Sequence, residues 1–265
     1  MKFRLALAQM QVVGGDTERN LERAEQIIAQ AARGGADLVL LPETMDVGWT
    51  NPSARERAEP IPGGGPASRL RAAALRHRIY VCAGLTEREG DSVYNSAVLI
   101  DRDGAVRGLH RKLNELEIAH AAYDPGDRLG VVQTEFGVFG MMICADALAG
   151  SGCLARSLCL MGAEVILSPC SWAVPPRHDT IREPYGDLWR RAYMPVASSF
   201  SVWIAAASNV GVVAGGPWGG HECIGSSLLI DAQGNEVLTG PYGVAAEALL
   251  YADVETRRQR VRGTG

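Results

Sequence analysis

Three side chains, far apart along the chain, form a set able to do covalent chemistry: Glu43 in "LLPE", Lys112 in "HRKLNELE" and Cys144 in "GMMICAD". A free thiol has a pKa near 8.5, so only a small fraction of it is nucleophilic thiolate at neutral pH. Glu43 is a base that can take the proton. Attack of the sulfur on a carbonyl or nitrile carbon builds negative charge on oxygen or nitrogen. Lys112 and the backbone N–H of Ala145 are the two donors suited to stabilise that charge, and losing one such donor costs roughly 3–4 kcal/mol of barrier. Taken singly, each residue has a plainer reading. Glu43 can cap a helix or pair with an arginine, Lys112 beside Arg111 can be a surface cation, and Cys144 can be a small buried hydrophobe. Only their combination points to catalysis.

The elements that must position them follow from the apolar pattern. "ADLVLL" is a continuous apolar run of the kind buried on both faces, and it ends in Pro42-Glu43. The run before Cys144 and the strand after the first hairpin end in the same way, and sites in layered α/β proteins gather at such strand ends. "FRLALAQMQV" reads as an opening strand. It is followed by a helix with Asp16 or Thr17 at its start, Leu21, Ala24, Ile27, Ile28 and Ala31 on one face, and Gly34-Gly35 as the stop. Helices near 66–78, 151–162 and 186–200 each lead into a buried strand, the mark of α/β layering. "SAVLIDRDGAV" (96–106) and "SSLLIDAQGNEV" (226–237) share an apolar run, an Asp, a glycine turn and a return strand, suggesting two sheets with similar edge hairpins. With no linker or composition shift, one domain over 1–265 is expected, with a tail from about 255.

With these blocks in view, the sequence resembles the nitrilase superfamily of carbon–nitrogen hydrolases. The opening "LALAQMQVVGGD", "DPGDRLGVVQTEFGVFG", "ILSPCSWAVP", "AASNVG" and "GSSLLIDAQGNEV" extend the likeness over almost the whole chain. The resemblance implies an α/β fold, a four-layer αββα sandwich that pairs into a homodimer or higher homo-oligomer. It implies a thioester intermediate on Cys144, Glu43 as general base, Lys112 stabilising the tetrahedral intermediate, and no metal or organic cofactor. Nitrile hydrolysers of the superfamily usually show Cys-Trp-Glu; Cys144-Ala145-Asp146 is closer to the amidases and carbamoyl hydrolases. The expected substrate is therefore a small amide or N-carbamoyl compound, releasing ammonia, with a nitrile as the alternative. One feature departs from the pattern: the second glutamate expected before the "PGD" turn falls in "AHAAY" (119–123), which has none. Glu115 or Glu117 is its possible replacement, and a binding protein that keeps the fold without turnover is the alternative this motivates.

Rival chemistries are poorly supported. His77, His110, His120, His178 and His221 lack any flanking pattern of a cysteine–histidine hydrolase, although His178 or His221 can line a pocket. "HEC" at 221–223 lacks the Pro-Cys-x-x-Cys of a zinc deaminase. Trp172 is expected to wall the pocket or pack in the core, and Trp49 with the loop 46–60 to form a lid. The glycine-rich 211–220 reads as a surface loop.

The bulk properties are those of an ordinary globular chain. The chain has 265 residues, 47% hydrophobic, with a net charge of −4, so no nucleic-acid surface is indicated. The basic cluster at 257–262 reads as a solvated end. No signal peptide and no apolar run of the roughly 20 residues of a membrane helix is evident. Six scattered cysteines without short paired spacing suggest a reduced, cytoplasmic setting.

Overall fold

The computed structural model describes residues 1–257. The first half runs β1 (Lys2–Gln9), α1 (Thr17–Arg33), β2 (Leu38–Leu40), the single turn α2 (Ala54–Arg57), α3 (Gly65–His77), β3 (Tyr80–Glu89), β4 (Ser92–Ile100) and β5 (Val106–Arg111). The second half runs β6 (Val131–Thr134), β7 (Gly137–Met141), α4 (Cys153–Leu160), β8 (Val165–Cys170), β9 (Ala173–Val174), α5 (Asp187–Phe200) and β10 (Trp203–Ser208). It closes with β11 (Val210–Val212), β12 (Glu222–Ile224), β13 (Leu228–Ile230), β14 (Glu236–Thr239) and β15 (Ala248–Glu255).

Two six-stranded sheets carry the fold, in the orders β15-β1-β2-β3-β4-β5 and β14-β13-β10-β8-β7-β6; a small third sheet joins β11, β12 and β9. In each large sheet three central strands are parallel (β1, β2 and β3; β7, β8 and β10) and the outer strands are antiparallel. Alternation along the strands sorts side chains into three apolar layers, because neighbouring residues face opposite sides of a sheet. From β1 and β2, Leu5, Leu7, Leu38 and Leu40 enter the layer between the sheets, with Val165 and Leu167 of β8 and Ala205 and Ala207 of β10. Ala6, Ala8 and Val39 turn outward onto the buried faces of α1 and α3. Ile166, Ile204 and Ala206 turn outward onto α4 and α5. Each fully buried Leu, Ile or Val contributes about 1.5–3 kcal/mol, so the three layers supply the main drive for the sandwich. This is the αββα order that the sequence implied.

Local signals match the elements. The Asp16 side chain accepts from the Arg19 N–H at 3.3 Å and starts α1, whose buried face is Leu21, Ala24, Ile27, Ile28 and Ala31. The two similar hairpins lie on equivalent sides of the two sheets. Asp101 accepts from the N–H groups of Asp103 and Ala105, both at 2.9 Å, and Asp231 does the same for Gln233 at 2.9 Å and Asn235 at 2.8 Å. Gly104 and Gly234, at φ +76° and +85°, take the left-handed positions of these turns. The helix expected at 151–162 is shorter than that span: Cys144–Ser151 is a 3₁₀ segment kinked at Ala149 and Gly150, and α4 begins only at Cys153. Gly150 and Gly152 in left-handed conformation break the two apart. Most of the basic cluster at 257–262 lies outside the described residues.

Candidate active site

Glu43, Lys112 and Cys144 come together where β2, β5 and β7 end. Two residues beyond β2, Leu41-Pro42 carry the chain to Glu43, whose N–H donates to the Cys170 carbonyl at 3.3 Å. The strand β3 passes so close that a Cβ at Gly84 would lie 2.5 Å from Glu43 Cα, so only glycine permits this approach. Lys112 follows directly on β5, its N–H donating to the Asn95 carbonyl of β4 at 2.8 Å. Both side chains are about 1% exposed. Lys112 Nζ donates to Glu43 Oε1 at 2.7 Å, and Asn95 Nδ2 donates to the same oxygen at 2.7 Å. Glu43 Oε2 is buried and has no partner. One carboxylate oxygen is thus held by two donors while the other is free to accept a proton.

Glu115 supplies the second carboxylate. Its Oε2 lies 3.6 Å from Lys112 Nζ, and neither of its oxygens has a hydrogen-bond donor. Burial pushes its carboxyl up to about 7; the Lys112 charge and the nearby Asn95 amide oppose this, and the Glu43 and Asp146 charges add to it. Burial alone would lower the Lys112 ammonium, but the charges of Glu43, Glu115 and Cys144, with the Glu43 hydrogen bond, raise it well above the usual lysine value. Lys112 is therefore a fixed cation. Glu117, the other candidate from sequence, is exposed on a short 3₁₀ turn and takes no part in the cluster.

Cys144 starts the 3₁₀ helix after β7 with φ at +44°, a left-handed conformation that costs a non-glycine residue of order 1–3 kcal/mol. Asp146 holds it there. Its two oxygens accept from the N–H groups of Ile143 at 2.9 Å, Leu113 at 3.0 Å and Asn114 at 2.8 Å, and from His110 Nε2 at 2.8 Å. Burial would raise this carboxyl, but His110 and the backbone donors bring it below the ordinary aspartate value. An ionised carboxylate only accepts, so His110 Nε2 carries the proton. Asn114 Nδ2 donates to the Ala145 carbonyl at 2.6 Å and completes the tie between the lysine loop and the cysteine turn. The Cys144 thiol itself is held well above its ordinary value by a hydrogen bond with the Cys170 thiol, by burial and by the Glu43 charge, with Lys112 pulling the other way. At rest the sulfur keeps its proton, and a base is needed to remove it.

The sulfur opens on a cavity of about 190 Å³ whose base is Lys112, Cys144 and Ala145. Its walls are Trp49, Trp172, Tyr185, Trp189 and Trp218, with Leu116, Leu148, Ser171, Ala173 and Leu188. Trp172 is both wall and core, being 1% exposed and stacked on Trp189 at 4.7 Å. Trp49 also lines the cavity, but residues 46–51 are buried, so this stretch is a packed wall rather than the lid expected. His178 and His221 do not line it; His221 stacks behind Trp218 at 4.9 Å. The glycine-rich segment 211–220 is largely exposed, as expected, yet delivers Trp218 to the cavity. Asn95, Tyr185, Trp189 and Trp218 had no distinguishing motif; the only hint was a lone Asn inside the otherwise largely apolar β4. Among the described residues no group of three or more His, Cys, Asp or Glu could hold a metal ion.

A family model described as carbon–nitrogen hydrolase matches residues 4–262. The chain belongs to the carbon–nitrogen hydrolase family. A nitrilase from Pyrococcus abyssi is 36% identical over 186 residues, 68% of this chain and 70% of the relative. A chloroplastic omega-amidase from Arabidopsis thaliana is 32% identical over 197 residues, 66% of this carbon–nitrogen hydrolase but only 53% of the plant protein. A solved carbon–nitrogen hydrolase from Helicobacter pylori G27 superposes with a TM-score of 0.85 at 22% identity, covering 96% of this chain and 89% of that one. An amidase from Nesterenkonia sp. gives 0.80 at 23% identity, covering 96% and 90%. At such identities the two structures speak for the fold.

Proposed function

We propose that this carbon–nitrogen hydrolase is an amidase acting through a thioester on Cys144. The observation that carries this is the Glu43 carboxylate, buried, with one oxygen fixed by Lys112 and Asn95, the other unpartnered, and a charge that acts on the Cys144 thiol. Glu43 takes the Cys144 proton as sulfur attacks the carbonyl carbon. The resulting oxyanion is stabilised by the Lys112 ammonium and by the Ala145 N–H, which, at the start of a helix, has no acceptor within it. Glu43 then gives the proton to the leaving nitrogen, the C–N bond breaks and ammonia departs. Water, deprotonated by Glu43, attacks the thioester; the acid is released and the thiol is restored. Asn95 and Glu115 are positioning residues, acting through Glu43 and Lys112.

The amide reading draws support from the Cys144-Ala145-Asp146 sequence and from its solved neighbours. One of these, a glutamate-to-glutamine mutant of the amidase from Nesterenkonia sp. AN1, shows covalent addition of the acetamide moiety of fluoroacetamide at its active site cysteine. The reading includes a homodimer or higher oligomer in a cytoplasmic setting, and a purely monomeric profile in light scattering would remove the first of these. The decisive test is intact mass spectrometry after brief exposure to small amides, with ammonia release in parallel. An acyl adduct on the wild type that is absent from Cys144→Ala is expected. Ammonia release only from nitriles, or no adduct and no ammonia from any amide, would overturn the reading.

A further inference from the structure

We infer that the substrate's acyl group is compact and uncharged, aromatic or branched, and that the tryptophan walls select against acyl groups bearing a carboxylate or an ammonium. The inference rests on the amidase reading of the same site and narrows it to a substrate class.

Three observations carry it. Among the described residues, Lys112 is the only charged side chain lining the cavity, and its ammonium is shared between Glu43 at 2.7 Å and the oxyanion of the reaction itself. The one hydroxyl on the wall besides Tyr185, that of Ser171, donates to the Glu43 carbonyl at 3.3 Å. The remaining walls are indole rings and aliphatic side chains. A second charge on the substrate would be stripped of water and meet only the neutral Tyr185 hydroxyl, which already accepts from Trp189 Nε1 at 3.1 Å, and a buried charge without a counter-charge is strongly disfavoured. The third observation is size: about 190 Å³ lies below the roughly 300–1,000 Å³ of pockets for drug-sized ligands. That space suits a single ring or a short branched chain.

Indole faces do attract cations. Here that attraction is already in use, since the Lys112 ammonium sits 5.8 Å from the Trp49 ring. Trp172 and Trp189 are stacked on each other with their planes 16° apart, so each has one face covered by the other. An ammonium-bearing substrate would therefore meet no carboxylate on the wall and a second cation at its base.

The test pairs turnover with binding. Ammonia release is measured for phenylacetamide and isovaleramide against succinamate and γ-aminobutyramide. Binding of the same four to Cys144→Ala is followed by tryptophan fluorescence, which reports on this cavity because four of the five tryptophans line it. The uncharged amides should exceed the charged ones by about 100-fold or more in kcat/KM and should alone quench the fluorescence of Cys144→Ala. Trp218→Arg, which adds a cation at the partly exposed wall, should gain succinamate turnover and lose phenylacetamide turnover. Succinamate or γ-aminobutyramide bound or hydrolysed as well as the uncharged pair overturns the inference while leaving the amidase reading intact. Selective binding of phenylacetamide with no ammonia from any amide does the reverse.

Discussion

Glu115 offers a direct test of the electrostatics, because its replacement should stabilise the protein at high pH. The side chain is 1% exposed and neither oxygen has a hydrogen-bond donor. Its carboxyl rises from 4.5 to about 7, burial being the first cause. The folded value lies above the unfolded one, so the folded state holds this proton more tightly. Stability from the group is therefore fully present below about 4.5 and is lost as pH rises through about 7. At about 1.4 kcal/mol per pKa unit, the loss is about 3 kcal/mol between roughly pH 4 and pH 8. Glu115→Gln keeps the shape but has no proton to lose. Urea unfolding of wild type and variant across that range should show the variant gaining about 3 kcal/mol relative to wild type as pH rises. Parallel profiles would refute the reasoning. So would wild type gaining on the variant, since that would mean the Lys112 charge keeps Glu115 ionised throughout.

Lys112→Met should abolish ammonia release and, by leaving Glu43 buried without its counter-charge, cost about 3–5 kcal/mol in urea unfolding; near wild-type turnover would remove its assigned role. Asn95→Ala frees one side of Glu43 Oε1, so kcat should fall at least tenfold with KM little changed, and unchanged kcat in steady-state assays would show that Lys112 alone positions the carboxylate. Asp146→Ala removes the acceptor of four donors and should cost several kcal/mol as well as acylation, read by urea unfolding and adduct mass. Gly84→Ala places a Cβ 2.5 Å from Glu43 Cα and should cost about 1–3 kcal/mol with a loss of kcat; a neutral result in both assays would mean the Glu43 turn can yield.

Much of this was legible in the linear chain because strands announce their ends. "ADLVLL" and "GVFGMM" are apolar on both faces, so the residues that follow them had to emerge at strand ends, and Glu43 and Cys144 do. The twin hairpins were legible for a local reason: Asp101 and Asp231 each bond to backbone two and four residues on, a pattern complete within one turn. What could not be read depends on distant packing. Asn95 meets Glu43 only because β4 lies beside β3, and Trp189 reaches the cavity from the buried face of α5, where a tryptophan looks like core. The choice between Glu115 and Glu117 turned on the path of the chain after β5, which no periodicity describes. The loop 46–60 looked like a lid from its position alone, yet Val47 and Trp49 pack with Tyr123 and Ala119 into a cluster of their own.

The role of Asp146 changes what the Cys-Ala-Asp sequence means. As a mark of amide substrates it invites the thought that the aspartate touches substrate. It does not: it is fully buried, does not line the cavity, and is saturated by donors from Ile143, Leu113, Asn114 and His110. Those donors come from the end of β5, the loop after it and the turn after β7, the two segments that carry Lys112 and Cys144. A left-handed Cys144 persists only if its surroundings over-determine it, and a saturated, ionised carboxylate two residues on provides that. The residue pair is therefore one device, a cysteine in a strained backbone and the anchor that keeps it strained. In the proposed amidase, its bearing on substrate works through where the sulfur and the lysine stand relative to each other, while the inferred choice among acyl groups falls to the tryptophan walls.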